Sequence, residues 1–233
     1  MLLFAPNISC KHAFTTRHGG VSNSEFTSLN LGGHEDNAVN IIKNRKLVLQ
    51  HLNFSIDDLC SLKQVHSNKV CLAKKSQQEG DALVTNQKEL VLAISIADCY
   101  PILFHDPVNN VIGASHAGWR GTLGKITENT ISEMIKLGAN INNIQVAIGQ
   151  GISKNKFIVG DDVIQLFEKA NFPSFCWGEN KIDLEACNRF TLLQNGIHEK
   201  NIWSMNRCTY EKDFFSYRRD AGKTGRMWAI IRL

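Results

Sequence analysis

The stretch Ile94-Ser-Ile-Ala-Asp-Cys-Tyr-Pro-Ile-Leu-Phe-His-Asp-Pro-Val-Asn-Asn-Val-Ile-Gly-Ala-Ser-His-Ala-Gly-Trp-Arg-Gly121 decides how the chain is read. Two apolar runs flank the polar segment Asp106-Pro-Val-Asn-Asn110, the pattern of a β-hairpin. A turn centred between Pro107 and Val108 pairs Phe104 with Val111, Leu103 with Ile112 and Cys99 with His116. Directly opposed residues of an antiparallel pair share a face, with Cβ atoms about 4.5–5.5 Å apart. A thiol and an imidazole are therefore expected to meet where strands give way to loops, the usual address of chemistry. A bulge at Pro101 would change this register.

Outward from the hairpin, composition sets the frame. A chain of 233 residues with four prolines, no linker, no low-complexity tract and no repeat reads as one domain over residues 1–233. The net charge of +4 and a pI near 8.7 come from basic residues spread along the chain, which gives no footprint for nucleic acid. The seven cysteines are odd in number and contain no CxxC pair. With no secretory signal and no apolar run long enough to span a bilayer, the expectation is a cytoplasmic protein with reduced thiols and no membrane partner.

Taken in order, His12 to Thr16 reads as a strand leading into Arg17-His-Gly-Gly-Val-Ser-Asn-Ser24, either a plain turn or one where Arg17, His18 and the amides beside Gly19 and Gly20 offer donors to an anion. Residues 28–37 read as a long surface loop. A helix is expected from Val39 to Leu52, with Ile41, Val48 and Leu52 inward and Lys43, Asn44, Arg45 and Lys46 forming a solvated face. Strands are expected at 60–65 and 69–73, flanking Gln64-Val-His66, and again at 82–85 and 90–96. Asp81 either holds its turn or touches a ligand.

Beyond His116, Gly118-Trp-Arg-Gly121 leads into an expected helix from Thr122, its N-cap, to Leu137. A glycine loop entering a helix aims backbone amides at an anion, and Arg120 adds a guanidinium fork, unless it packs on Trp119. Further on, a strand at 144–148 and helices at 160–170 and from Asp183 to Asn195 are expected. The end reads as strands at 208–217 and 227–233 around the basic loop Arg218–Arg226, which lacks the upstream glycine of a P-loop.

His66, Cys99 and His116 offer one soft and two borderline ligands, a set that suits zinc with one tetrahedral position open. An alternative makes Cys99 a nucleophile with His116 as its base, without metal. Both uses compete for one sulfur.

The motifs Thr16-Arg-His-Gly-Gly-Val-Ser22, Ser28-Leu-Asn-Leu-Gly32, Asn44-Arg45, Gln64-Val-His66, Asp81-Ala82, Ala97-Asp-Cys99, His116-Ala-Gly-Trp-Arg-Gly121, Asp183-Leu184, Asn188-Arg189, Phe215-Ser-Tyr-Arg-Arg-Asp220 and Thr224-Gly-Arg226 together resemble the laccase-domain family. Members were first called multicopper polyphenol oxidases and are now regarded as zinc-dependent purine nucleoside phosphorylases, the bacterial peptidoglycan editing factor among them. The resemblance implies a layered α/β sandwich with mixed, largely antiparallel sheets, similar in topology to Cys–His toxin hydrolases. It implies zinc on His66, Cys99 and His116, with phosphorolysis of adenosine, inosine and methylthioadenosine and with adenosine deamination. On the matched motifs, Arg120 joins the catalytic group, and Arg17, Asn30, Arg45, Gln64, Asp81 and Arg218 are expected to contact nucleoside or phosphate. Gln150-Gly151 and Phe157-Ile-Val-Gly160 depart from the family's pattern, which puts substrate preference in question if that loop shapes the pocket. The eight histidines form no His-x-His pair, so a multicopper oxidase is disfavoured. Hydrolysis of a peptidoglycan precursor by a Cys99/His116 site and a non-enzymatic binding role are the competing functions.

Overall fold

The computed structural model describes residues 1–33 and 35–233. One sheet runs, in spatial order, β1 (Leu2–Leu3), β2 (Lys11–Thr15), β15 (Met227–Arg232), β8 (Val91–Ile96) and β3 (Leu59–Cys60). The other runs β14 (Ile202–Ser204), β11 (Gln145–Ile148), β9 (Tyr100–Asp106), β10 (Val111–Ala117), β7 (Ala82–Thr85) and β5 (Val70–Leu72). Within these two sheets pairing is antiparallel except at β3–β8, β5–β7 and β11–β14. Two small ribbons join β4 (Leu62–Lys63) to β6 (Gln78–Glu79) and β12 (Trp177–Gly178) to β13 (Lys181–Ile182).

Alternation along the strands builds three apolar layers. Phe14, Leu92, Ile94, Met227, Ala229 and Ile231 meet Leu103, Ile112, Ala114 and Ala147 between the sheets. Trp228, Ile230, Val91 and Ala93 face the other way, under α1 (Ala38–His51). Ile102, Phe104, Val111 and Val146 face a layer containing α2 (Trp119–Leu123), α3 (Ile126–Lys136), α4 (Asp161–Lys169) and α5 (Leu184–Gln194). The result is the layered α/β sandwich that the resemblance implied. Each fully buried Phe, Leu or Ile contributes roughly 1.5–3 kcal/mol. At Gly113, Met134 Sδ would stand 3.0 Å from an added Cβ and Thr130 Cγ2 3.2 Å, so the glycine lets α3 pack closely on β10. Among the described residues no helix is long and apolar enough to cross a membrane, and all seven cysteines are free thiols.

The structure corrects the hairpin in two ways. The apolar run entering it is two strands in two sheets: β8 ends at Ile96, the chain turns at Ala97-Asp98-Cys99, and β9 begins at Tyr100 in the other sheet. The register is also displaced by two residues, with Phe104 opposite Gly113, Leu103 opposite Ala114 and His116 opposite Pro101. The turn sits further along because the Asp106 carboxylate accepts hydrogen bonds from the amides of Val108 and Asn109, at 2.9 and 3.0 Å. No bulge forms at Pro101.

Four other expectations change. The helix from Thr122 to Leu137 is broken at Gly124-Lys125, where Asn68 donates to the Gly124 carbonyl and Lys125 is left-handed at φ 65°. Gly118 is the N-cap of α2, and Thr122 is buried, accepting from Asn188 instead. Residues 208–217 form turns rather than a strand, with only a bridge from Cys208 to Gly151. In the expected surface loop, Leu29, Asn30, Leu31 and Gly32 are buried, while His34 lies outside the described residues. On α1 the solvated face fails at Asn44, which is fully buried and ties Val21, Ser22, Ser28 and Asn30 together. Arg45 is half-buried, donating to the Leu31 carbonyl and lying over the Trp228 ring.

Candidate functional site

Strand direction gathers the chemistry at one end of the sandwich. β2 and β8 finish there and β15 starts there, which brings the chain before Arg17, the Asp98-Cys99 corner and Arg226 to one edge. In the second sheet the starts of β5, β7 and β9 meet the ends of β10, β11 and β14, adding His66, Asp81, Gly118 to Arg120, Gln150 and Thr209. His66, Cys99 and His116 converge so that one ligand atom from each lies within 4.8 Å of the others. The two imidazole rings stand edge to face, centroids 4.8 Å apart. His116 is buried, Cys99 is half-buried and His66 is exposed. The cluster is thus open to solvent on one side.

The expected Cys99–His116 meeting holds although the register moved. A shift of two residues keeps side chains on the same face. Gly118 now stands where the hairpin would place a partner for Cys99. A Cβ on Gly118 would be 2.8 Å from Cys99 Sγ and 3.2 Å from His66 Cδ2, so the glycine is needed for the three groups to close up.

Asp81 organises two of the three groups. It is fully buried. One oxygen accepts from His116 Nδ1 at 2.9 Å and from the His66 amide at 3.0 Å. The other accepts from the amides of Val65 and Ser67 and from the Ser67 hydroxyl, at 3.3, 2.6 and 2.7 Å. These bonds hold His66 in a left-handed backbone at φ 58° and leave His116 Nε2 facing the cluster. Burial pushes the Asp81 carboxyl up, but hydrogen bonds from His116 and Ser67 outweigh it and hold it at about 2. Read as either holding its turn or touching a ligand, Asp81 here braces the His66 loop and His116.

Electrostatics favour a thiolate. Burial pushes the Cys99 thiol up, yet the His116 charge and hydrogen bonds from His116 and His66 draw it down to about 6. Burial likewise pushes the His116 imidazole down, but the Cys99 thiolate and the hydrogen bond to Asp81 raise it to about 9.

Two more expected substrate residues are engaged inside the protein. The Gln64 amide pairs with both backbone groups of Ser95, at 2.8 and 2.7 Å, pinning the His66 loop to β8. Asn30 is fully buried; its oxygen accepts from Gly32 and Arg226 and its nitrogen donates to Asp36. The arginines differ. Arg120 is exposed and lies 4.2 Å from the Trp119 ring centroid, the packing weighed against an anion role. Arg17 donates to Thr27 over the Phe215 ring and borders a cavity of about 310 Å³ with Glu25, Asp220 and Lys223. Arg218 donates to the Ile158 carbonyl and lies over Phe157. Gln150 is fully buried, donating across the sheets to the Thr15 carbonyl, so its side chain is engaged inside the protein.

Two residues had no assigned role. Arg226 is half-buried, lies over Tyr217 and is held by the carbonyls of Thr224 and Gly225. Asp98 has a buried side chain and φ 95° immediately before Cys99. An acid beside a metal-ligand candidate in an apolar run was the available signal for Asp98.

Known proteins resemble this chain over almost its whole length. The model of the family "Multi-copper polyphenol oxidoreductase laccase" matches residues 11–233. A purine nucleoside phosphorylase of Deinococcus radiodurans is 44% identical, over 100% of this chain and 92% of its own length. Adenosine deaminase RL5, from an unknown prokaryotic organism, is 33% identical over 98% of this chain and 96% of its own. The crystal structure of YlmD from Geobacillus stearothermophilus superposes with a TM-score of 0.92 at 32% identity, covering 98% of this chain and 93% of that one. Matched by the family's model from Lys11 to Leu233, with His66, Cys99 and His116 inside the match, the chain belongs to the multi-copper polyphenol oxidoreductase laccase family.

Proposed function

We propose that this protein is a zinc-dependent purine nucleoside phosphorylase, cytoplasmic, acting on adenosine, inosine and methylthioadenosine and also deaminating adenosine. The observation that carries the reading is the His66–Cys99–His116 cluster, open on one side and braced by Asp81. Relatives named purine nucleoside phosphorylase and adenosine deaminase support it. One sulfur and two imidazoles suit zinc, and the donor spacing and the Asp81-oriented imidazole fit such an ion. When bound, zinc supplies a Lewis acid that polarises a substrate oxygen or acidifies water.

The chain's own residues do the rest. Asp81 fixes the His116 ring with Nε2 inward, and Gly118 leaves the room the ligands need. Arg120 holds phosphate, with Arg17 and Arg218 as further donors; the guanidinium fork suits a phosphate dianion. Arg45, stacked on Trp228, extends this cationic rim.

Incubating the protein with adenosine, with and without phosphate, and separating products by chromatography tests the reading. Adenine and ribose 1-phosphate are expected only with phosphate, and inosine in both mixtures. Absence of all three products would sink the phosphorylase and deaminase and leave a hydrolase of another substrate or a binding role. The depressed Cys99 thiol beside a raised His116 favours one second reading, a nucleophilic hydrolase of peptidoglycan precursors. Stoichiometric alkylation of Cys99 at neutral pH with zinc supplied would support it over the phosphorylase.

A further inference from the structure

The corner between the sheets carries a side chain where a glycine would be easier. Asp98 has φ 95°, a region that side chains avoid and glycine enters freely. Its Oδ1 accepts from the Thr209 hydroxyl at 2.6 Å and its Oδ2 from the Arg218 amide at 2.6 Å. Its carbonyl accepts from the Ile152 amide at 2.8 Å. Three stretches distant in sequence therefore end on one residue, directly before Cys99.

Those stretches form a unit. Thr209 bonds back to Gly151, and the Arg219 guanidinium donates to the carbonyls of Thr209, Tyr210, Glu211 and Phe214 while pairing with Asp220. Asp220 in turn accepts from Thr224, two residues before Arg226. The segment 209–226 is thus stitched internally by Arg219 and Asp220, and the Asp98 carboxylate bonds it to the Cys99 corner. We propose that Asp98 is a positioning residue: it holds the segment bearing Arg218, one of the proposed phosphate donors, in register with the His66–Cys99–His116 corner, so that this guanidinium keeps its distance from Cys99.

This rests on the phosphorylase reading for its kinetic consequence, but not for its structural one. Asp98→Gly suits the backbone while removing both side-chain bonds. Asp98→Asn keeps one acceptor for Arg218, and its NH2 can donate to a reoriented Thr209 hydroxyl. Thr209→Val removes one donor without touching the corner. The measurements are zinc content, amide hydrogen exchange of residues 209–226, and KM and kcat for phosphate with adenosine. Asp98→Gly is expected to keep zinc, lose amide protection across 209–226 and raise the phosphate KM about tenfold or more with a smaller change in kcat. Asp98→Asn should recover most of both effects, and Thr209→Val should move both in the same direction by less. Unchanged exchange in Asp98→Gly and Thr209→Val overturns the proposal. So does loss of zinc in step with KM, which would confine Asp98 to shaping Cys99. If the wild-type protein proves inactive on adenosine, the phosphorylase reading fails while hydrogen exchange still decides the role of Asp98.

Discussion

The ligand side and the arginine side of the site are built in opposite ways. His116 and the His66 loop are locked by Asp81, a buried carboxylate whose oxygens accept five hydrogen bonds. Arg17, Arg45, Arg218 and Arg226 instead donate to backbone carbonyls and rest on aromatic rings, and Arg120 lies over Trp119 in solvent. A metal ion needs its donors within tenths of an ångström, which favours a rigid buried frame. A phosphate dianion tolerates adjustment, and guanidiniums that rest on rings keep their charge available. The two sides should therefore fail differently.

The largest effect is expected at the ligand itself. Cys99→Ala removes the sulfur donor, so elemental analysis should find the wild type with about one zinc per chain and the variant with essentially none, and both activities should fall to background. Full retention of zinc would make the ligand assignment untenable.

Next comes the support. Asp81→Asn keeps the shape but leaves too few acceptors for its donors; zinc affinity should fall about 10- to 100-fold, the usual cost of losing such a partner. Chelator competition measures it. The same carboxylate governs acid stability. Its folded value of about 2 lies below the ordinary 3.8, so its stabilisation is present above about 3.8 and is lost as pH falls through about 2. That difference corresponds to about 2 kcal/mol. Acid unfolding of the wild type, followed by circular dichroism, should show a component in this window that Asp81→Asn lacks.

On the arginine side, Arg120→Lys keeps the charge and loses the fork. Phosphorolytic efficiency should fall about 10- to 100-fold through a raised phosphate KM, equivalent to about 1.5–3 kcal/mol. Zinc content should not change, and deamination, which uses water, should fall much less. Equal loss of both activities with zinc intact would move the phosphate assignment to Arg17 or Arg218.

The His66–Cys99–His116 cluster was legible in the sequence and its support was not. Cys99 and His116 were paired through a register that was wrong by two residues, and the error did no harm because the strand period is two. The break between β8 and β9 was hidden, since an apolar run continues through it and no propensity marks a change of sheet. Asp81 was read as holding a turn or touching a ligand, and Asp98 was given no role, because their partners, His116, Thr209 and Arg218, are far along the chain. Asn44 was readable: it falls three residues after Ile41 and four before Val48, on the buried stripe of α1, but its neighbours' charges masked it.

The smallest effect is expected at Gln150, where the sequence departs from the family's pattern. If that departure tuned the substrate pocket, Gln150→Met should change the ratio of adenosine to inosine turnover. The structure gives the side chain another task. It is fully buried, and its amide nitrogen donates to the Thr15 carbonyl at 2.9 Å, while its oxygen has no partner among the described residues. Methionine has similar length and would strand the Thr15 carbonyl, but it would also remove the unpartnered oxygen. Each buried, unpaired group costs roughly 1–3 kcal/mol, so the two changes largely offset. Thermal unfolding should shift by no more than a few degrees, about 1 kcal/mol for a chain of this size, and the turnover ratio should stay within about twofold. A changed ratio with unchanged stability would bring Gln150 back into the pocket and show that the frame behind the ligands also reads the substrate.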